Sequence, residues 1–511
     1  SSMRRARTAL AVLLVAVLAS ALIQAASASR SADATVVEYV QPILTAEEQA
    51  AILRHAYAVF DELVGLGGST DASDSPLSRL EVPYDFVFVS AYHPNGTLLG
   101  CQGVHGSFDG AGPLAADLRE AVGNLTQDQR FPPSLPTAEL AQARLVVSLL
   151  HGRRPIKGWL KTAKTLDAHI EPGVHAIRLD RGRRRAIFLD GVPITKNYSL
   201  RETLQRLSKK AGVGPYGYLL PGSQLSVYET ITLTGDRTGR VTELYRYRTP
   251  LSTEALSAEL VAQRIDLAGQ WFLQNIHADT GLLEYQYDPA QDRYTRSDNH
   301  VRRLASLWSI ARLANFSRDH ARYRPLIVRT FNHYLAFLRA DGRGGAHLKV
   351  EGRPGIANGA FVLLGLCEWG EHPEREVLIR MLADGILHQQ RADGAYRTFV
   401  GKGDVKLGID FYPGEAMLAL LNAYQVLREP AYLASVERAV PFYRDYWHKH
   451  PNTAFVPWHS QVHLLLYQET HTPEYAAFAF EMNDWIVATY QLLEPRYPDE
   501  LGGFGVGDRR K

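Results

Sequence analysis

The stretch YLAFLRADGRGGAHLKV, residues 334–350, reads as the end of a helix, an Ala-Asp-Gly turn and a short extended segment. The same order recurs in FLQNIHADTGLLEYQYD at 272–288 and in ILHQQRADGAYRTFVGKG at 386–403. Weaker copies follow in HKHPNTAFVPW at 448–458 and RYPDELGGFG at 496–505. A period of roughly 50–60 residues marks a supersecondary unit that must stack on its neighbours to bury its apolar side. Asp279, Asp341 and Asp393 head the turns, and an aspartate there is read as a turn former because it accepts hydrogen bonds from the backbone just ahead of it.

Working outward, each turn is followed by a strongly apolar helix: DNHVRRLASLWSIARL (298–313), ANGAFVLLGLCEWG (357–370), YPGEAMLALLNAY (412–424) and PWHSQVHLLLYQ (457–468). Amphipathic helices such as EREVLIRMLADGILHQQ (374–390) and YLASVERAVPFYRDYWHK (432–449) precede the turns. A helix apolar on all sides is buried on all sides. The pattern predicts an inner row of apolar helices and an outer amphipathic row: an all-α toroid of helical hairpins over 254–505, with about nine helices.

The preceding residues, 42–235, read as a separate α+β domain. TAEEQAAILRHAYAVFDELV (45–64) carries a capping box in Thr45 and Glu48, and SLRETLQRLSKKAGV (199–213) is a second capped helix closed by Gly212. YDFVFVSAYH (84–93), LVVSLL (145–150) and RRAIFLD (184–190) read as strands. Residues 236–253 are expected to link the two domains.

At the N-terminus, Arg4, Arg5 and Arg7 precede an apolar run from Ala9 to Ile23 and the small residues ASAS at 26–29. This is the order of a secretory signal, so residues 1–28 are expected to be a cleaved leader and the protein to be exported. The rest holds no apolar run long enough to span a membrane. With 56 basic and 54 acidic residues the net charge is only +2, which gives no case for a nucleic-acid or anionic-membrane partner, and none is expected. Two cysteines, Cys101 and Cys367, one in each domain, exclude a disulfide scaffold.

Residues 42–235 resemble the AMMECR family through NGTLLGCQG (95–103), DQRFPP (128–133), GVHAIRLDRGRRRAIFLD (173–190) and ETLQRLSKKAGV (202–213), in that order. The family's signature around this cysteine runs Leu-Arg-Gly-Cys-Ile-Gly; here Leu99 stands for the arginine and Gln102 for the isoleucine. The resemblance implies an α+β fold and no particular chemistry. Cys101 itself is read as a small packed residue, against the alternative of a nucleophile with His93 and His105 nearby. The second half resembles the α/α-toroid carbohydrate-active enzymes, the glycosidase, lyase and epimerase types. That implies a sugar or uronic-acid polymer as substrate and a central pocket.

In a toroid the turns and the first residues of the inner helices share one rim. The candidate catalytic residues there are Asp410, Tyr412, Glu415, Asp298 and His459; His300, Arg302, Tyr285, Glu351, Asn358, Tyr396, Trp458 and His463 are candidates for binding substrate. Hydrolysis needs two carboxyl groups; elimination or epimerisation needs a proton acceptor and a proton donor. Carboxylates at the start of a helix, as at Glu415 and Asp298, also have a purely electrostatic reason to be there. His459 and His463 share a helix face, but Ser460 stands where a zinc-protease motif has glutamate, so no metal or other cofactor is expected. The expected partner is a glycan, with the oligomeric state open. Two alternatives stand: a non-catalytic binding module, or a toroid enzyme with a non-carbohydrate substrate.

Overall fold

The computed structural model describes residues 44–505, apart from 68–76, 78–83, 107–113, 133, 158–163, 250–252, 278–279, 289–290, 292, 351, 353, 402–405 and 496. The expected leader, Asp279 and Glu351 lie outside the described residues. The chain divides into two compact units between residues 250 and 251. No helix among the described residues is long and apolar enough to cross a membrane.

Unit 1 is α+β. Helix α1 (Ala46–Leu63) opens on the expected capping box, Glu48 N donating to Thr45 Oγ1 at 3.3 Å and Thr45 N to Glu48 Oε2 at 2.6 Å. Helices α2 (Leu114–Thr126) and α3 (Leu200–Lys210) follow, α3 capped by the same device through Ser199 and Glu202. The strands are β1 (Phe86–Tyr92), β2 (Leu98–His105), β3 (Arg144–Pro155), β4 (His175–Arg181), β5 (Arg184–Phe188), β6 (Ser223–Gly235) and β7 (Val241–Leu244). They form one antiparallel sheet in the order β2-β1-β3-β6-β4-β5, with β7 also paired to β6. The sheet shares an apolar core with α1 and α2, to which the strands contribute the buried side chains of Val87, Val89, Leu145, Val147, Ile231 and Leu233.

The expected linker at 236–253 is corrected by this sheet. Val241–Leu244 is a strand, Arg237 grips Asp61 through Nε and Nη2 at 2.9 and 2.8 Å, and Tyr247 shares a 2.5 Å hydrogen bond with Tyr92. The Gly-Asp-Arg-Thr-Gly run that reads as a break is the turn of a hairpin. Trypsin acting on the native protein is therefore expected to spare the bond after Arg237 until unit 1 unfolds; early cleavage there, seen by mass spectrometry, would restore the linker.

Unit 2 contains nine α-helices among the described residues: α4 (Ala258–Gln274), α5 (His300–Ser317), α6 (His320–Leu335), α7 (Ile356–Glu368), α8 (Arg375–Leu387), α9 (Tyr412–Leu427), α10 (Pro430–Lys449), α11 (Val456–Thr470) and α12 (Pro473–Tyr490). Helices α5, α7, α9 and α11 pack side by side as the inner row, with α6, α8, α10 and α12 outside them. In α7 and α9 no residue is exposed and most are buried, as all-round apolarity requires. Phe361 of α7 meets Trp458 of α11 at 5.6 Å between ring centres, across the intervening α9. The inner row is therefore curved: this is the hairpin architecture of an α/α toroid.

The turns behave as the repeat predicts. Asp341 accepts from the backbone N–H groups of Arg343 at 2.8 Å and Gly345 at 3.1 Å, and Asp393 accepts from Ala395 at 3.2 Å. Two small antiparallel ladders extend from such turns, β8 (Tyr287–Asp288) with β9 (Arg293–Tyr294), and β10 (Leu338–Ala340) with β11 (Ala346–Leu348). Three inner helices end in a non-glycine residue at positive φ: Arg318 (58°), Arg428 (55°) and His471 (57°). In each case a single residue then separates it from the next outer helix.

Candidate functional site

The first turns of three inner helices pack directly on one another. A Cβ added to Gly355, just before α7, would lie 3.4 Å from the Tyr412 ring; one on Gly414 would lie 2.7 Å from Trp458 Cβ and 3.1 Å from His459 Nε2. Small residues at these starts let α7, α9 and α11 converge. Each contributes a buried polar atom without a hydrogen-bond partner: Asn358 Oδ1, Glu415 Oε2 and both ring nitrogens of His459.

Glu415 stands out chemically. It is 4% exposed, and burial pushes its carboxyl up to about 8 despite its place in the first turn of α9. A helix N-terminus favours the anion; here desolvation outweighs it, so at neutral pH Glu415 is an acid holding its proton. Tyr412, one turn earlier and half-buried, has its phenol pushed up by burial and by the charge Glu415 would carry. Tyr412 packs edge-on against Phe399, ring centres 5.8 Å apart.

Asp410 is engaged differently. Its Oδ1 accepts from Tyr446 Oη at 2.7 Å and from Asn452 Nδ2 at 2.9 Å, and Asn452 in turn accepts from the Phe455 N–H at 3.0 Å. The carboxylate thus ties the start of α9 to α10 and to the loop entering α11, and with burial it pushes the Tyr446 phenol up to about 12. Asp410→Ala is expected to cost about 2 kcal/mol of stability by leaving two part-buried donors without their acceptor, read as a lowered urea midpoint. An unchanged midpoint with turnover abolished would return Asp410 to the chemistry.

Asp298 sits at the mouth of α5, its Oδ1 2.9 Å from Arg303 Nε in an ion pair and 2.7 Å from the Asn299 N–H. His300 Nδ1 lies 3.2 Å from Tyr334 Oη. His459 is fully buried, stacked on Phe455 at 3.5 Å with its ring 5.5 Å from Tyr443 of α10, so it lies between the two helix rows; burial lowers its pKa well below the ordinary histidine value. His463 is equally buried against Phe478 of α12. Its Nδ1–H donates to the His459 carbonyl at 2.8 Å, and burial brings its pKa down to about 4. Tyr396 is a core residue too, its hydroxyl 2.7 Å from Ser435 Oγ. The catalytic role expected of His459 and the binding role expected of His463 and Tyr396 are corrected on that ground: none of the three presents a surface to a ligand. The described residues contain no group of three or more His, Cys, Asp or Glu able to hold a metal ion.

One cavity of about 360 Å³ is open beside α4 and α5, lined among others by Trp271, Tyr285, Gln286, Arg302 and Ser306. It brings together Arg302 and Tyr285, two residues expected to bind substrate, at 2.7 Å between Nη1 and Oη. Trp271 and Gln286 were not expected there: Trp271 is an ordinary apolar position of an amphipathic helix until the loop after α4 folds beside it.

In unit 1, Leu99, which stands where the family's signature has arginine, is 4% exposed and belongs to the core. Gln102 instead donates to Asp128 Oδ2 at 2.9 Å, alongside the Cys101 N–H at 3.2 Å and the Arg130 guanidinium at 2.6 Å. Burial pushes the Cys101 thiol up, against a Ser90 hydrogen bond and the Lys210 and Arg130 charges. A thiol held protonated is a poor nucleophile.

The known proteins that resemble this chain each cover part of it. Protein MK0488 of Methanopyrus kandleri is 28% identical over 187 residues, 36% of this chain and 87% of that one. Among solved structures, a D-mannose isomerase shares 13% identity over 48% of this chain and 76% of its own, with a TM-score of 0.38. The GH76 α-mannanase BT2949 of Bacteroides thetaiotaomicron shares 10% over 45% and 71%, with a TM-score of 0.36. Residues 53–233 match the AMMECR1 family profile, so unit 1 carries an AMMECR1 domain.

Proposed function

We propose that unit 2 is a carbohydrate-active enzyme that moves a proton on its sugar substrate, with Glu415 as the transferring group. The observation that carries the reading is the buried Glu415 carboxyl, with one oxygen unpartnered and its pKa raised to about 8. A carboxylic acid tuned to ionise near neutral pH can both donate and accept a proton during turnover. Trp308 and Trp458, both partly exposed, flank the buried Phe361, at 6.3 and 5.6 Å between neighbouring ring centres. Such faces suit the apolar sides of sugar rings.

Hydrolysis is the less supported branch. It needs a second carboxylate across the scissile bond, and both other candidates are engaged elsewhere, Asp410 by Tyr446 and Asn452, Asp298 by Arg303. Isomerisation, epimerisation or elimination needs one acid–base group and a second donor, a role within reach of the Tyr412 phenol. The test is deuterium uptake from D₂O into aldoses and uronates at the carbon beside the carbonyl, followed by NMR with wild type and Glu415→Gln. Uptake that survives the substitution would overturn the assignment.

A further inference from the structure

We infer that the cavity beside α4 and α5 is a subsite for an anionic sugar, one bearing a carboxylate, with Arg302 as its anchor. The inference rests on the proposed carbohydrate activity, of which it names the substrate class.

The charges around the cavity are unevenly engaged. Glu284 at its wall is 2.9 Å from His277 Nε2. Arg303 is paired with Asp298. Arg302 has no carboxylate partner among the described residues; its side chain's one hydrogen bond there is the 2.7 Å contact from Nη1 to the Tyr285 hydroxyl, and its guanidinium lies 5.9 Å from the centre of the same ring. That contact directs Nη1 toward Tyr285 and leaves the remaining N–H groups to an incoming anion. A planar guanidinium suits two parallel hydrogen bonds to a carboxylate.

The other walls suit a sugar ring. Trp271 is 51% exposed, a large apolar face left open to the cavity side of α4. Gln286 and Ser306 add neutral donors and acceptors at the edge. A volume near 360 Å³ is at the small end of ligand pockets, of a size for about one or two sugar residues. Position supports the same reading. Arg302 is the third residue of α5, as Gly414 is of α9 and Trp458 of α11, so the cavity opens on the end of the inner row where Glu415 lies.

The experiment is calorimetric titration of the full chain with D-glucuronate and, separately, D-glucose, which differ at one carbon in carboxylate against hydroxymethyl. Glucuronate is expected to bind at least about tenfold more tightly, the worth of one charge-assisted hydrogen bond. Arg302→Gln should erase that preference with the thermal midpoint unchanged, and Arg302→Lys should keep part of it. Glu415→Gln should keep all of it, which separates this subsite from the proton-transfer reading: loss of turnover with retained preference supports both, and retained turnover with retained preference supports the subsite alone. Equal binding of the two sugars, no binding of glucuronate, or a preference that survives Arg302→Gln would overturn the inference.

Discussion

Glu415→Gln is expected to lower turnover by about two to four orders of magnitude, the usual contribution of a positioned acid–base group, while making the fold less sensitive to pH. The two effects share one cause. The folded chain holds the Glu415 proton up to about pH 8, whereas the unfolded chain releases it near the ordinary value of 4.5. Between those values the folded state binds more protons, so stability falls as pH rises, by at most about 1.4 kcal/mol per unit. Glutamine has no proton to lose, and the slope disappears with it. Thermal melts at pH 5 and pH 8 should therefore show the variant level with wild type at the lower pH and ahead of it at the higher. A variant with unchanged turnover and an unchanged slope would make Glu415 an ordinary packed residue.

Gly385→Ala should be among the most damaging single methyl additions in unit 2, at about 3 kcal/mol. Gly385 lies in α8, where the helix meets β11: a Cβ there would fall inside the carbonyl of Ala346, with the Ala346 N only 3.0 Å away. Both neighbours are backbone, so no side chain can swing aside. The same closeness holds from the other side, since a Cβ on Gly345 would lie 2.6 Å from the Gly385 N. Urea unfolding of unit 2 should show the loss as a lower midpoint at similar slope. A cost under about 1 kcal/mol would mean that the β10–β11 ladder can lift off the helix freely.

The repeat was legible because it rests on local rules. Turn aspartates, helix caps and all-round apolarity are each set by residues a few positions apart, and they placed both rows of the toroid and the AMMECR-like region. That Glu415 opens an apolar helix was legible for the same reason. Asp410 stands beside it among the catalytic candidates, in an equally apolar stretch, LGIDFY at 407–412. Nothing local announces that Tyr446 and Asn452 reach it from the next helix and loop. Tyr396 and His463 failed similarly: a polar tip in sequence looks the same whether it meets solvent or, as with Tyr396, a serine of the neighbouring helix. The hairpin of β6 and β7 was missed because a turn rich in glycine and aspartate is also how a linker is written.

The single-residue elbows after Arg318, Arg428 and His471 have an effect beyond geometry. They alternate inner and outer helices so tightly that each hairpin touches chiefly the one before and the one after. Stability in such an array passes between nearest neighbours, and its ends fray first. Helix α4 buries only Gly269 and α12 only Phe478 and Met482, so both ends are thinly held. The Arg302 cavity lies at the α4 end. A ligand seated there would add contacts at that end of the array and slow its fraying.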